Sequence, residues 1–171
     1  MHETADDLRA LQRLIDESHR GGGRHLRTIY SDERHLSAHD LSQLLRGVRV
    51  LNVATVTARC EPRVAPVDGL FFRGRWYFGS SPESVRFRHL RARLQVSATH
   101  VRGEDVAVVV HGTATLVDPD ASEHADFRGY LRATYPGWDS WARGNPYARI
   151  EASKMFTFGG IQETSDHGDD G

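Results

Sequence analysis

The spacing of hydrophobic residues predicts a helical N-terminal segment. Over residues 4–19 the apolar positions recur at intervals of three and four, which is typical of an amphipathic helix with one buried face. The positions concerned are Leu8, Leu11, Leu14 and Ile15. Three glycines at 21–23 end the pattern. Further along, Ser37 and Asp40 have the spacing of a capping box, which predicts a second, shorter helix.

From about residue 49 the pattern changes to short runs rich in β-branched residues, separated by turn residues. These runs predict six strands, over residues 49–57, 63–72, 75–78, 94–101, 106–117 and 147–158. Pro66 falls inside the second run and predicts a free edge or a bulge there, because proline cannot donate to a ladder. Helical patterns over 83–91 and 120–134 separate some of the strands, and 135–146 looks like a loop.

Six strands with few helices predict a mainly β fold of the α+β class. We expect a six-stranded antiparallel barrel with short flanking helices, because closure removes the exposed edges of a sheet. The expected organisation is a helical N-terminal extension at 1–47, a barrel domain at 48–161, and a disordered acidic tail at 162–171. Because the predicted N-terminal helix is too short to be stable alone, it should pack on the barrel or on a partner subunit.

Charge and cysteine content narrow the possible functions. The 171 residues carry a net charge of −1, which gives no electrostatic case for binding nucleic acid. The single cysteine, Cys60, cannot form an intrachain disulfide, which fits the cytoplasm. No apolar run reaches the length of about 20 residues that a membrane helix needs, and no signal-peptide core is present. We therefore expect a cytoplasmic protein that does not bind membranes.

Ten histidines raise the question of a metal site, but their arrangement does not support one. No HExxH motif and no cluster of Cys and His with ligand spacing occurs, so we expect no metal. His111 lies on the fifth predicted strand beside Gly112, where it could face a cofactor or be a structural histidine.

The segment FGSSPESVRFRHLRAR, at 78–93, carries the best candidate binding chemistry. A predicted strand ends in Gly-Ser-Ser and a helix begins near Glu83 or Ser84. Free N–H groups at a helix N-terminus, beside hydroxyls and an arginine, favour an anion such as phosphate. The candidates are Ser80, Ser81, Ser84 and Arg86. The alternative is an ordinary N-cap followed by solvated arginines.

Four segments, taken in order, resemble the pyridoxamine 5'-phosphate oxidase-like FMN-binding split barrels, a family of flavin- and deazaflavin-dependent oxidoreductases. They are LNVATVTARCEPRVAPV, GRWYFGSS, ESVRFRHLRARLQVSAT and VVVHGTATLVDP. Together they cover roughly residues 48–119, with weaker similarity to about residue 160. None is diagnostic alone, and their order and spacing carry the resemblance.

The resemblance implies a set of flavin contacts. Arg63 and the backbone that follows it, including Val64, Pro66 and Val67, would contact the flavin. Ser80 would supply a hydroxyl, and Ser84 and Arg86 would form part of a phosphate clamp. Two positions depart from the family pattern. Val85 stands where the clamp has a basic residue, and Ala107 stands where pyridoxamine phosphate oxidase has a glutamine.

Three functions remain open on this resemblance. The first is an oxidoreductase that uses FMN, or alternatively the deazaflavin F420, on an unknown small-molecule substrate. The second is a non-catalytic flavin-binding or flavin-sensing protein. The third is a haem-handling protein with His111 as the axial ligand. In each case the resemblance implies a homodimer with the cofactor in a groove between subunits, and Trp138 and Trp141 are candidates for that interface.

Overall fold

The computed structural model describes residues 2–29 and 34–159. The predicted tail at 162–171 lies outside the described residues. The helices are α1 (Ala5–Arg20), α2 (Arg24–Ile29), α3 (Ala38–Leu44), α4 (Val85–Ala92), α5 (Ala125–Thr134) and α6 (Trp138–Trp141), with a 3₁₀ turn at Ser122–His124. The strands are β1 (Val48–Val56), β2 (Pro62–Phe72), β3 (Arg75–Gly79), β4 (Gln95–Arg102), β5 (Val106–Val117) and β6 (Tyr147–Gly159). Among the described residues, no helix is both long enough and apolar enough to span a membrane.

The six strands form a closed antiparallel barrel in the order β1-β2-β3-β6-β5-β4. Alternate residues of each strand point inward, as the period of two requires. Val106, Val108 and Val110 of β5 are nearly inaccessible to solvent, for example. The predicted fold class, a six-stranded antiparallel barrel with short helices and a helical N-terminal segment, is confirmed.

β2 is the strand at which the barrel is split. Its last four residues, Gly69–Phe72, pair with β3, whereas the residues from Pro62 to Asp68 pair only with β1. The first part of β2 therefore has an edge without a neighbouring strand, and six of its seven residues are exposed. Pro66 lies in this part, as its missing N–H predicted.

The N-terminal helices pack into the barrel core. The capping boxes Thr4–Asp7 and Ser37–Asp40 begin α1 and α3, so the second of these is confirmed where the sequence predicted it. Leu11 and Ile15 of α1 belong to the same buried cluster as the inward residues of the barrel. The domain boundary after residue 47 stays a prediction.

A second buried cluster lies on the outside of the barrel beneath α5, and it is mostly aromatic. Its members are Leu70, Phe72, Tyr77, Val117, Phe127, Tyr130, Leu131, Trp138, Ala142 and Tyr147.

The prediction of a loop over 135–146 was incomplete, because α6 forms there. Trp138 is 1% exposed, and its indole N–H donates to the hydroxyl of Tyr147 at 3.1 Å. Trp138 is therefore part of the fold within one chain, and only Trp141, which is 57% exposed, is accessible for an interface.

A bulge between β5 and β6 requires a glycine. His111 is opposite Lys154 and Gly112 is opposite Ala152, so Ser153 has no partner in the register. A Cβ at residue 112 would lie 2.1 Å from the carbonyl oxygen of Glu151, which is backbone and cannot rotate away.

We expect Gly112→Ala to lower the free energy of unfolding by about 2–3 kcal/mol, since the two strands would have to separate to admit the methyl group. Gly129→Ala is the matched control, because Gly129 is exposed in α5 and its Cβ would meet nothing within 4 Å. This change should stabilise the protein by about 0.5–1 kcal/mol through helix propensity. Urea denaturation measures both values, and equal effects of the two substitutions would contradict the steric argument.

Candidate functional site

A groove of about 190 Å³ lies between the free edge of β2 and the first turn of α4, above β1. Its lining combines apolar residues with cationic and hydroxyl-bearing side chains. The lining residues are Val53, Thr55, Arg63, Val64, Ala65, Ser84, Val85, Arg86 and His89. The groove therefore brings together four of the predicted site residues, Arg63 and Val64 of β2 with Ser84 and Arg86 at the start of α4.

Arg86 joins α4 to the free edge of β2. One of its terminal nitrogens, Nη2, lies 3.4 Å from the carbonyl oxygen of Ala65 and 3.5 Å from that of Pro66, and it donates to them. Its guanidinium also lies 6.0 Å from the centre of the Phe78 ring. Burial lowers the pKa of Arg86, and no acidic side chain contributes to the shift. Among the described residues it has no salt-bridge partner, so an anion in the groove would be the first charge to compensate it.

Ser84 is the N-cap of α4, and its hydroxyl accepts a hydrogen bond from the N–H of Phe87 at 3.3 Å. The N–H groups of Val85 and Arg86 lie in the first turn, where a helix offers them no backbone acceptor. The Arg86 side chain leaves the helix from this same turn. Its positive charge and the free N–H groups therefore lie close together, as an anion site requires.

Arg63 begins the exposed part of β2, and its guanidinium pairs with Glu61 at 2.9 Å. Both side chains of the pair are about half exposed, so the pair is weak and Arg63 remains available to a ligand. The next residue, Val64, is 69% exposed, which is unusual for a valine in a strand.

The remaining predicted residues do not line the groove. The N–H of Ser80 donates to the carbonyl of Pro146 at 3.4 Å, and the hydroxyl of Ser81 accepts from the N–H of Glu83 at 3.3 Å. Pro66 contributes its carbonyl oxygen to Arg86, and Val67 packs against the barrel core. The assignment of these four residues to a cofactor stays a prediction.

Thr55 and His89 were missed as site residues by the sequence analysis. Thr55 is 3% exposed, and its hydroxyl lies 2.9 Å from Nδ1 of His89. The available signal was helical spacing, because His89 follows Arg86 by three residues and therefore shares its face of α4. The partner Thr55 lies 34 positions away and gave no local signal.

A second, wider depression of about 540 Å³ lies on the outer face of the barrel around the bulge. It contains His111, whose Nδ1 lies 2.8 Å from the hydroxyl of Ser97. Thr55 lines both this depression and the groove, so the two are neighbours. Within the described part of the chain, no three His, Cys, Asp or Glu side chains come together as a metal site would require.

The groove in one chain is smaller than most ligand sites, which occupy about 300–1,000 Å³. At 190 Å³ it can take the end of a cofactor rather than a whole one. The groove is suited to an anionic end of a ligand, because it supplies Arg63, Arg86 and the first turn of α4. None of the described residues that line it is acidic.

This geometry agrees with the comparison of the sequence with known families. The family described as pyridoxamine 5'-phosphate oxidase matches residues 37–157, which is most of the chain. The chain belongs to this family. The resemblance inferred from the four sequence segments is therefore confirmed. No curated protein matches the sequence.

Solved structures agree with the family assignment at the level of fold. The conserved hypothetical protein Rv2991 of Mycobacterium tuberculosis has a TM-score of 0.64 and 17% identity, over 75% of this chain and 88% of that chain. The haem storage protein HutZ of Vibrio cholerae has a TM-score of 0.59 and 16% identity, over 71% and 95%. A FAD-binding protein of Mesorhizobium loti has a TM-score of 0.55 and 24% identity, over 71% and 94%. Proteins that share this fold are therefore named for different cofactors, FAD in one case and haem in another.

Proposed function

We propose that this chain is an oxidoreductase that binds FMN, with the phosphate of the cofactor in the groove between β2 and α4. The observation that supports this most is Arg86, a partly buried cation with no acidic partner among the described residues. It lies at the first turn of α4, beside Ser84, where a phosphate group would gain charge-assisted hydrogen bonds. The substrate is a small molecule whose identity the groove does not specify.

When bound, a flavin supplies the hydride chemistry, and the protein supplies binding, orientation and exclusion of water. In this chain, Arg86 and Ser84 would hold the phosphate. Arg63 and the exposed backbone of Val64 to Val67 would hold the part of the cofactor that extends from the groove along the free edge of β2. A strand edge with unpaired N–H and C=O groups is suited to hydrogen bonding of this kind.

FMN is favoured over F420 by the distribution of basic residues. F420 carries an acidic lactyl-polyglutamate extension, which would need a basic path leading away from the phosphate. Arg24, a basic residue of the N-terminal segment that could supply such a path, does not line the groove. The two cofactors share the phosphate contact, and the experiment below separates them.

A homodimer is also part of the proposal. The outward residues Val50, Val64 and Val101 of neighbouring strands are 61%, 69% and 53% exposed, so an apolar sheet face is open to solvent. The strand registers place Val64, Ala54, Ser97 and His111 in one row across this face. A second copy would bury the apolar face and complete the groove, which is too small for a whole cofactor in one chain. Cytoplasmic localisation remains a prediction from the sequence.

Haem handling is the second candidate function, and His111 is the observation that favours it. With Nδ1 held by Ser97 at 2.8 Å, the imidazole has a defined orientation and its other nitrogen is available. An oriented imidazole of this kind is typical of metal-ligating histidines. The neighbouring depression of about 540 Å³ provides more room than the groove does.

The FMN proposal predicts that binding depends on Arg86 and on the phosphate. In Arg86→Ala, we expect the dissociation constant for FMN to rise by about 10- to 150-fold. This range corresponds to the loss of one charge-assisted hydrogen bond. Riboflavin, which lacks the phosphate, should bind the variant and the original protein equally. Arg88→Ala is the control, because Arg88 is exposed on the same helix and does not line the groove. Quenching of flavin fluorescence measures each constant.

Several outcomes would count against the proposal. Equal losses for FMN and riboflavin would show that Arg86 supports the fold of the site rather than the phosphate. Tighter binding of F420 than of FMN would replace the cofactor. If NADH and NADPH fail to bleach the bound flavin while dithionite succeeds, the protein is a flavin-binding protein rather than a reductase using those donors.

The haem alternative predicts a different spectrum. Reconstitution with haem should give a Soret band that shifts in His111→Ala and is unchanged in His25→Ala, since His25 is exposed in α2. A Soret band that is insensitive to His111→Ala would remove this histidine as the axial ligand. If haem binds while FMN does not, the FMN proposal is wrong.

The dimer proposal predicts that a charge in the apolar face prevents association. We expect a dimer by light scattering at micromolar concentration, and Val64→Asp should weaken association by at least about 100-fold because its carboxylate would be buried without a partner. Leu26→Asp introduces the same charge on α2, at an apolar residue that is 36% exposed, and should leave the dimer intact. A monomeric original protein would contradict the proposal outright.

A further inference from the structure

Of the ionisable side chains among the described residues of the groove, His89 is the one that the proposed function does not use. It lies one helical turn after Arg86 on α4, so the two side chains emerge on the same face. Both line the groove, together with Arg63 from β2. Val85 also lines the groove but carries no charge, so Arg86 and His89 are the ionisable residues that α4 contributes to the lining.

Thr55 fixes the orientation of the His89 ring. The threonine is 3% exposed on the inward face of β1, and its hydroxyl lies 2.9 Å from Nδ1 of His89. A hydroxyl both donates and accepts hydrogen bonds, so this contact is compatible with the neutral ring and with the protonated ring. Because Nδ1 is engaged, Nε2 is the ring nitrogen left for a ligand.

The described charged side chains that line the groove beside His89 are positive. Arg63 on β2 and Arg86 on α4 are both cationic, and β1 contributes only Val53 and Thr55 to the groove. The carboxylate of Glu61 is paired with Arg63 at 2.9 Å. A dianion bound among these groups would favour the protonated form of the imidazole.

We propose that His89 is a phosphate ligand of this groove, acting with Arg86 in its protonated form, and that it makes the affinity for phosphorylated ligands decrease as pH rises. This inference rests on the proposed function only in taking the groove as the site of the cofactor phosphate. The consequence is a binding site that releases its cofactor more readily under alkaline conditions.

The direction of the pH effect follows from the two groups that titrate. The second pKa of a phosphate monoester is about 6, so the dianion already predominates at about pH 6.5 and its charge changes little above that. An imidazole loses its proton over the range of about pH 6–8, whereas arginine stays charged. Between about pH 6.5 and 8.5 the affinity of the original protein for FMN should therefore fall, by about tenfold if the lost contact is one charge-assisted hydrogen bond.

Titrations with FMN and riboflavin across this pH range test the inference. The original protein should show the tenfold fall for FMN and a flat profile for riboflavin. In His89→Gln the FMN profile should be flat, with weaker binding at the acidic end, whereas His25→Gln should behave as the original protein does. If FMN binds and the pH profile of His89→Gln matches that of the original protein, the inference is wrong and the proposed function stands.

A second measurement decides the inference even if no flavin binds. Inorganic phosphate is added to the protein without cofactor, and the imidazole resonances are followed by NMR over pH, with the His89 signals identified by their absence in His89→Gln. Phosphate should move the titration midpoint of His89 to higher pH, because a bound anion stabilises the protonated ring. An unchanged midpoint overturns the inference. A raised midpoint without flavin binding retains the anion site and rejects FMN as its ligand.

Discussion

The rest of the site depends on one constraint, which is that β2 pairs with β3 over its last four residues only. β3 has only five residues and ends at Gly79, where a Cβ would lie 2.7 Å from the ring of Tyr147. The first part of β2 is therefore left with carbonyl groups that no strand can pair. Unpaired carbonyl groups need donors, and Arg86 donates to the carbonyl oxygens of Ala65 and Pro66 in this part of the strand. The contact brings the first turn of α4 against the open edge, and this produces the groove.

Much of the fold could be predicted because its signals are local. The capping box at Ser37, the free edge at Pro66 and the helix N-terminus at Ser84 each depend on a few neighbouring residues. The site was predictable only in part. The pairing of His89 with Thr55 joins elements 34 positions apart, and no local pattern contains that information. The burial of Trp138 depends in the same way on Tyr147, on a later strand.

Belonging to the pyridoxamine 5'-phosphate oxidase family does not decide the chemistry of this chain. The barrel is shared by proteins named for FAD binding and for haem storage. The identities are 24% and 16%, which leave most side chains different. The cofactor must therefore be argued from individual side chains. In this chain, Arg86 and the first turn of α4 favour an anionic group, whereas His111 on the outer face is oriented by Ser97.

The way α1 is attached has a consequence for the synthesis of the protein. Its Ser18 accepts a hydrogen bond from the N–H of Met155, a residue 137 positions later, and Thr157 is bonded to the backbone of Leu36 across 121 positions. Both contacts are with β6, which also closes the barrel between β3 and β5. Part of the native surface that α1 binds is therefore available only after β6 has been synthesised. Because these contacts join segments more than 100 positions apart, the docking of α1 on β6 should be a late and slow step of folding.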